Sequence, residues 1–238
     1  MVFTTQVLNG HEIRKVQFSA GDLAQARTQA EAKVPFTNAN NPAARTRTTL
    51  QVRNSQLLGT LADLACANLI SDFFTARNVP LSVQRYDDIR TDRFQNPHPY
   101  SIRVLGPRNT CHADIEVRSS VCNRISVARM IDIWHVLGWY ITAARPDDTL
   151  VDFYMRPIFH FNRFNTDTYS LDNLERYFDE GAIDLYIVGG ATRTQLVSHG
   201  EIQRGYGLLQ EGATYQVLPI RQAMDVPAFL TAIEAHTP

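Results

Sequence analysis

The chain has 238 residues, of which 44% are apolar, and its 23 basic and 24 acidic side chains leave a net charge of −1. This composition excludes a disordered protein, and the length suits one large domain with or without an appendage. The three cysteines lack metal-type spacing, and the sequence shows neither a signal-peptide pattern nor an apolar run of about 18 residues. It therefore predicts a cytoplasmic protein that does not enter a membrane.

The first 48 residues are predicted to begin with a β-hairpin followed by a helix. Two short strands, Phe3–Leu8 and Ile13–Phe18, flank Asn9-Gly10, a dipeptide that favours a tight hairpin turn. A helix is expected from Ala20 to Lys33. Because an irregular loop follows this helix, residues 1–48 are interpreted as an appendage to a domain that spans residues 49–238.

The loop over residues 35–48 contains basic side chains that are candidates for contacts with nucleic acid. Arg45 and Arg47 lie in this loop, and Arg53 lies just beyond it. Arginine binds phosphate through paired N–H groups, so an Arg-containing loop can follow a phosphate backbone. We expect these three residues, together with Arg103, to contact DNA.

Residues 49–77 show the clearest helical pattern, because leucine, alanine and phenylalanine recur on one face at helical spacing. Gly59 and Asp63 lie one turn apart on a neighbouring face. The pattern predicts a buried helix in which Asp63 looks across a close approach permitted by Gly59.

The stretch Cys111–Val117 carries the main functional signal, because apolar and charged residues alternate along it. A strand places alternate side chains on opposite faces, so one face carries Asp114, Glu116 and Arg118. With strands expected at residues 81–88 and 100–105, this strand forms a three-strand antiparallel meander. Charged side chains on a central strand are costly unless they pair or bind a metal.

The C-terminal half is predicted to alternate between helices and strands, so the fold class is α/β, with a central mixed sheet flanked by helices. The glycines at 189 and 190 are interpreted as a strand-to-helix turn. The expected elements are a buried helix at residues 125–145, a strand at 150–161, a helix at 171–180, strands at 183–188 and 215–220, and a helix at 226–236.

The order helix, three-strand meander, helix, strand, helix, strand resembles the core of the PD-(D/E)XK (restriction-endonuclease-like) nuclease superfamily. The resemblance covers about residues 49–190, and Glu116-Val117-Arg118 stands in the place of the E-x-K motif. It implies that Glu116 and the Val117 carbonyl hold Mg²⁺, with Mn²⁺ as a possible substitute. It also implies that Arg118 stabilises charge and that Asp63 assists from the helix.

Two residues depart from the pattern of this superfamily. Arg118 replaces a lysine, and arginine is essentially never deprotonated, so it can stabilise charge but cannot act as a base. The second departure is Ser101, which stands where the superfamily has an aspartate ligand. The ligand is then Asp88, ranked ahead of its neighbours Asp87 and Asp92, or else Asp114. Otherwise the chain is inactive.

The resemblance implies a metal-dependent DNA endonuclease of restriction or phage-defence type that acts on double-stranded DNA as a homodimer. The first alternative is an inactive nuclease-fold module that binds nucleic acid or protein. The second is an unrelated enzyme with a small-molecule pocket near Gly189. A purely structural interpretation is also open, in which Glu116 forms a cross-strand ion pair with Arg103.

Overall fold

The structure is a computed structural model that describes residues 1–37, 39, 46–96, 98–141, 150–162, 170–204 and 214–237. Arg45, one of the expected DNA contacts, lies outside the described residues. The strands are β1 (Val2–Leu8), β2 (His11–Gln17), β3 (Ser82–Arg85), β4 (Ile102–Leu105), β5 (Cys111–Val117), β6 (Ser120–Cys122), β7 (His135–Ile141), β8 (Phe153–Phe161), β9 (Ile183–Thr192), β10 (Glu201–Arg204) and β11 (Thr214–Pro219). The helices are α1 (Ala20–Lys33), α2 (Thr49–Ala76), α3 (Tyr86–Ile89), α4 (Val127–Ile133), α5 (Leu174–Asp179), α6 (Arg193–His199) and α7 (Val226–Glu234).

An eight-stranded mixed sheet forms the centre of the fold, in the order β1-β2-β9-β8-β5-β4-β3, with β6 pairing to β8 beyond the end of β5. β8 runs parallel to β5 and β6, and the other described pairs in this sheet are antiparallel. The expected α/β class and the meander β3-β4-β5 are confirmed. A smaller sheet has the order β10-β11-β7.

The N-terminal hairpin is continuous with the central sheet. Asn9 and Gly10 both have positive φ, 54° and 79°, which is the conformation that the tight turn requires. β2 then pairs antiparallel with β9, and α1 packs against α2. The segment expected to be an appendage therefore forms one edge of the sheet and covers part of the main helix.

Helix α2 is the main helix of the core. Thr48 and Gln51 form a capping box at its start, and Leu57 and Leu61 are buried. The helix is long and apolar enough to cross a membrane, but 67% of its most apolar window is buried inside the protein, which is consistent with the core helix of a soluble protein. The expectation of a close approach at Gly59 is wrong, because a Cβ there would meet nothing within 4 Å.

The helix expected over residues 125–145 is wrong in its second half. α4 is short, Trp134 adopts extended backbone after it, and β7 follows directly. An apolar run without alternation fits a buried strand as well as a buried helix, so the sequence pattern did not distinguish them. Gly138 lets β7 approach β11 closely, since a Cβ there would lie 2.9 Å from the carbonyl oxygen of Gln216.

The glycines at 189 and 190 lie inside β9, and the turn into α6 comes later, at Thr192. Gly189 has a φ of 95° beside a shift in the register between β8 and β9. A Cβ on Gly189 would lie 2.1 Å from the carbonyl oxygen of Met224. Backbone atoms therefore lie directly against Gly189 on the side where its Cβ would stand.

We expect Gly190→Ala to lower the free energy of unfolding by about 1–3 kcal/mol or more, because overpacking strains a core. The new Cβ would lie 2.3 Å from the carbonyl oxygen of Tyr154 and 2.5 Å from the ring of Phe229. Gly59→Ala is the matched control, and its open helical position should raise the free energy of unfolding by roughly 0.5–1 kcal/mol. Urea denaturation measures both changes, and a shift of the same sign in the two variants would contradict this packing.

Candidate functional site

The candidate site lies at the end of the meander, where β5 finishes and β4 begins. Ser101 precedes β4, and its backbone N–H donates to the carbonyl oxygen of Ile115 at 3.0 Å. The Ser101 hydroxyl accepts a hydrogen bond from the backbone N–H of Val117 at 3.2 Å. Ser101 therefore bridges the residues on both sides of Glu116, directly across the ladder from it.

Glu116 is the central charge of the site, and 15% of its side chain is exposed. Its Oε1 lies 3.6 Å from His98 Nε2 and 3.7 Å from Arg118 Nη2, and its Oε2 accepts a hydrogen bond from the Ser101 hydroxyl at 3.5 Å. Burial alone would raise the pKa of Glu116, but the contact with His98 and the charge of Arg118 hold that pKa below its usual value. Glu116 is therefore ionised at neutral pH.

Asp63 on α2 is the second acid of the site. Burial is the main cause that raises the pKa of Asp63, to about 7, and the nearby charge of Lys33 is the strongest effect in the opposite direction. The negative charges of Asp87 and Glu116 also contribute to this increase. Asp63 and Glu116 are therefore close enough for the charge of one to affect the ionisation of the other.

Two basic residues of the site were not predicted from the sequence. Lys33, at the end of α1, donates to the Thr60 hydroxyl at 2.9 Å and forms an ion pair with Asp87. His98 lies in the loop before β4, and its contact with the Glu116 carboxylate raises its pKa. One signal could have drawn attention to Lys33, since the chain has 23 basic residues and only Lys15 and Lys33 among them are lysines.

The carboxylates of Asp88 and Asp114 are each held by an arginine. Asp88 accepts from Arg85 at 2.5 and 2.8 Å and from Gln29 at 3.0 Å. Residues 86–89 form the helical turn α3 and do not continue β3, and Asp87 is the residue of this turn whose charge acts on Asp63.

Asp114 accepts two hydrogen bonds from Arg103, at 2.7 and 2.8 Å. Arg103 thus pairs with Asp114 and not with Glu116, the partner named in the structural interpretation. The carboxylate of Asp92 is likewise bound by Arg90, at 2.7 Å.

Of the expected DNA-binding arginines that the structure describes, Arg53 lies on α2 and Arg103 lies on β4. Arg53 donates to Glu175 on α5 at 2.7 Å, and Arg103 stacks on Tyr100, with the guanidinium 4.0 Å from the ring centre. Arg47 is half-buried, and its backbone N–H donates to the Ala39 carbonyl oxygen at 2.9 Å. Arg53 and Arg103 therefore already have partners in the protein, and a phosphate would have to share them.

The donor set of the site suits a hard cation with a small number of protein ligands. Mg²⁺ takes oxygen ligands, keeps several waters and is usually bound by one or two carboxylates. Asp63 and Glu116 supply two carboxylates of that kind. Within the described part of the chain, no group of three or more His, Cys, Asp or Glu side chains is placed to hold a metal ion.

Comparison with protein-family models, with curated proteins and with solved structures finds no match to this chain. Its function has therefore to be inferred from the residues and geometry of the site itself.

We expect Asp63→Asn to raise the free energy of unfolding at pH 8, without divalent metal, by on the order of 1 kcal/mol or more. The pKa of Asp63 is raised from 3.8 to about 7 in the folded protein, so the protonated form favours folding. The stability from this proton is fully present below pH 3.8 and is lost as the pH rises to 7. Asparagine resembles the protonated acid and should remove this loss.

Urea unfolding at pH 5 and pH 8 in a chelating buffer measures this effect. Wild type should lose more stability than Asp63→Asn between the two conditions. Asp114→Asn is the matched control, because it removes a carboxylate that pairs with Arg103. The same pH dependence in wild type and Asp63→Asn would contradict the buried acid.

Proposed function

We propose that this protein is a metal-dependent DNA endonuclease of the PD-(D/E)XK type. The observation that carries the proposal is the meeting of two acids at one end of the meander: Asp63 on α2 lies near enough to Glu116 on β5 for the charge of Glu116 to raise its pKa, and Arg118, just after β5, lies 3.7 Å from Glu116. These residues come from elements that are separated in the chain. A site for phosphodiester hydrolysis needs acidic ligands for a metal ion and a basic group held close together.

The element order supports the same proposal. α2, the meander β3-β4-β5, α4 and β8 follow one another as helix, three-strand meander, helix and strand, with β6 and β7 inserted around α4. β8 lies next to β5 in the sheet, so the segment after the motif returns to the motif strand. A restriction-endonuclease-like fold accounts for this arrangement.

The proposed chemistry assigns a role to each residue. Asp63 and Glu116 would hold Mg²⁺ or Mn²⁺ with the Val117 carbonyl, and the ion would supply a hydroxide and neutralise charge on the phosphate. Arg118 would stabilise the phosphate charge, since its guanidinium stays protonated. Burial favours a proton on Asp63, so a metal ion would have to displace that proton in order to bind.

The remaining parts of the proposal concern the setting of the enzyme. The substrate is double-stranded DNA, and a homodimer would cut both strands. The proposed role is restriction or phage defence in the cytoplasm. Arg45, Arg47, Arg53 and Arg103 remain the proposed DNA contacts, although Arg53 and Arg103 would contribute while held by Glu175 and Asp114.

We expect Glu116→Gln to abolish Mg²⁺-dependent nicking of supercoiled plasmid DNA, with a rate loss of at least about 100-fold, because the amide removes an anionic ligand from the ion. Asp63→Asn should cause a loss of similar size. Asp88→Asn is the control, since Asp88 is bound to Arg85 and Gln29. Thermal melting verifies that each variant is folded. Full activity in Glu116→Gln would overturn the proposal, and selective loss in Asp88→Asn would move the ligand to the residue ranked first from the sequence.

A second candidate function is a catalytically inactive nuclease-fold module that binds nucleic acid. The observation that favours it is Ser101, which faces Glu116 across the ladder where the superfamily has an aspartate. A serine hydroxyl is a weak ligand for Mg²⁺ compared with a carboxylate. Such a module would bind DNA in a salt-dependent manner without cutting it.

Ser101→Asp separates the two candidate functions. If the chain is inactive for want of this ligand, the new carboxylate should strengthen Mn²⁺ binding, measured by calorimetry, by about tenfold or more and should produce cutting. Ser101→Asn is the matched control, because it has nearly the same shape without the charge. Cutting by the wild type would instead support the active enzyme, and no gain from Ser101→Asp would contradict the inactive one.

A further inference from the structure

Strand β1 forms an exposed edge of the central sheet. It is the first strand in the sheet order, and within the described part of the chain no other strand pairs with its outer side. Its seven residues include no charged side chain and no proline, and its pairing with β2 runs without a bulge. Edge strands of native proteins are usually protected by charges, by proline, by bulges or by being very short. β1 therefore lacks the usual protection of an edge.

The opposite edge of the same sheet is protected. β3 has only four residues, it ends at Arg85, and the helical turn α3 follows directly. The side chain of Arg85 binds Asp88 in that turn. The two edges thus differ in the way that is expected if β1 has a partner and β3 has none.

The hairpin determines which backbone groups of β1 point outward. A two-residue turn joins Leu8 to His11, and a β-turn pairs the C=O of its first residue with the N–H of its fourth. Because hydrogen-bonded and non-hydrogen-bonded positions alternate in an antiparallel pair, every second residue counted back from Leu8 directs its backbone groups to β2. The intervening residues, which direct their N–H and C=O groups outward, are Phe3, Thr5 and Val7.

The side chains of β1 follow a pattern that is the same in both directions. Two apolar residues stand at each end, Val2-Phe3 and Val7-Leu8, and three uncharged polar residues lie between them, with Thr5 at the centre. Val2 is 58% exposed and Val7 is 62% exposed, so each end of the strand leaves one large apolar side chain uncovered. A strand with this pattern matches an antiparallel copy of itself.

An antiparallel pair of β1 strands centred on Thr5 would satisfy both the backbone and the side chains. This register pairs all seven residues, and it brings the outward backbone groups of Phe3, Thr5 and Val7 opposite one another. Val2 would then lie beside Leu8 of the second copy, and Phe3 would lie beside Val7. Apolar side chains would meet apolar ones, and the polar residues at the centre would meet each other.

A groove next to Phe3 gives Val7 of a second copy a surface on which to pack. The groove has a volume of about 450 Å³, and its lining is mostly apolar, with Phe3 from β1, Leu69 and Phe73 from α2 and Leu230 from α7. Alternate residues of a strand share a face, so Phe3 and Val7 lie on the same face of the sheet. In the register centred on Thr5, Val7 of the second copy would therefore reach the sheet at this groove.

We propose that two copies of this chain pair along β1 about a two-fold axis, so that their central sheets join into one continuous sheet. The occupant of the edge is a second copy because a two-fold interface requires a surface that matches itself, and the pattern centred on Thr5 has this property. The inference deepens the homodimer of the proposed function and rests on it for the expectation that two copies assemble. A single strand pair is small beside a standard interface of about 1,600 Å², so the dimer should be reversible, with a dissociation constant on the order of micromolar.

Sedimentation velocity from about 1 to about 100 µM covers that range and should show a monomer–dimer equilibrium for the wild type. Thr5→Lys and Thr5→Glu, each alone, should weaken the dimer at least about tenfold, because the two-fold axis places the two like charges directly opposite each other. An equimolar mixture of these two variants should restore the dimer, since opposite charges then face each other across the axis.

A second variant tests the groove, and a matched control tests specificity. Val7→Lys should also weaken the dimer, because it places a charge beside Phe3 of the other copy. Val197→Lys on α6 is the control, since Val197 is 65% exposed, much as Val7 is, and does not belong to β1. This control should dimerise as the wild type does. Thermal melting verifies that each variant is folded, and Val7→Lys gives the test if the Thr5 variants do not fold.

Three results would overturn the inference. The first is a wild type that stays monomeric at about 100 µM, in which case the edge of β1 has a different occupant, such as another segment of this chain or another protein. The second is a dimer that persists in folded Thr5→Lys and Thr5→Glu, and the third is a mixture of the two that stays monomeric.

Failure of this inference is distinguishable from failure of the proposed function. A protein that dimerises through β1 but does not cut DNA keeps the interface and removes the nuclease. A monomer that cuts DNA removes the interface and keeps the nuclease.

Discussion

The ionisation of Glu116 is the constraint on which the candidate site depends. Little of this side chain reaches solvent, and burial by itself favours a neutral acid. His98, Arg118 and Ser101 keep it charged, and they come from a loop, from the end of β5 and from the residue before β4. Glu116 therefore stays ionised at neutral pH only if the strands of the meander keep their register. Burial has the opposite outcome for Asp63, whose pKa is raised because the charge of Lys33 does not outweigh the effect of burial.

Arginine determines which of the predicted acids remain available. Asp88 and Asp114 each accept two hydrogen bonds from one guanidinium. Two parallel N–H donors match both oxygens of a carboxylate, so such pairs are strong and directional. Glu116 is different, because its contact with Arg118 is longer, at 3.7 Å. The acids that stay accessible to a ligand are thus those whose basic neighbours do not occupy both oxygens.

Local sequence signals predicted the local parts of this fold. Asn9-Gly10 predicted the hairpin, the periodicity of α2 predicted the core helix, and the alternation in Cys111–Val117 predicted the strand that carries Glu116. Each of these signals is set by neighbours in the chain. The boundary at Trp134 was missed because a buried strand and a buried helix are both apolar throughout.

The composition of the site could be predicted only in part, for a related reason. Asp63 and Glu116 were selected by their position on elements with clear patterns. Lys33 and His98 reach the site from another helix and from a loop, and no local period marks such residues. The sequence pattern did not indicate that Asp88 lies in the turn α3 and is bound by Arg85, three residues earlier.

The pairing of β2 with β9 has a consequence for the order in which the chain folds. Arg14 and Val16 of β2 pair with Ile187 and Leu185 of β9. β2 is synthesised early, so it can form these pairs only after β9 has been synthesised. Until then β2 presents an open row of backbone donors and acceptors, which is a template for pairing with other chains. Sheets with such distant pairings fold slowly. The N-terminal hairpin is thus where self-association during synthesis would begin.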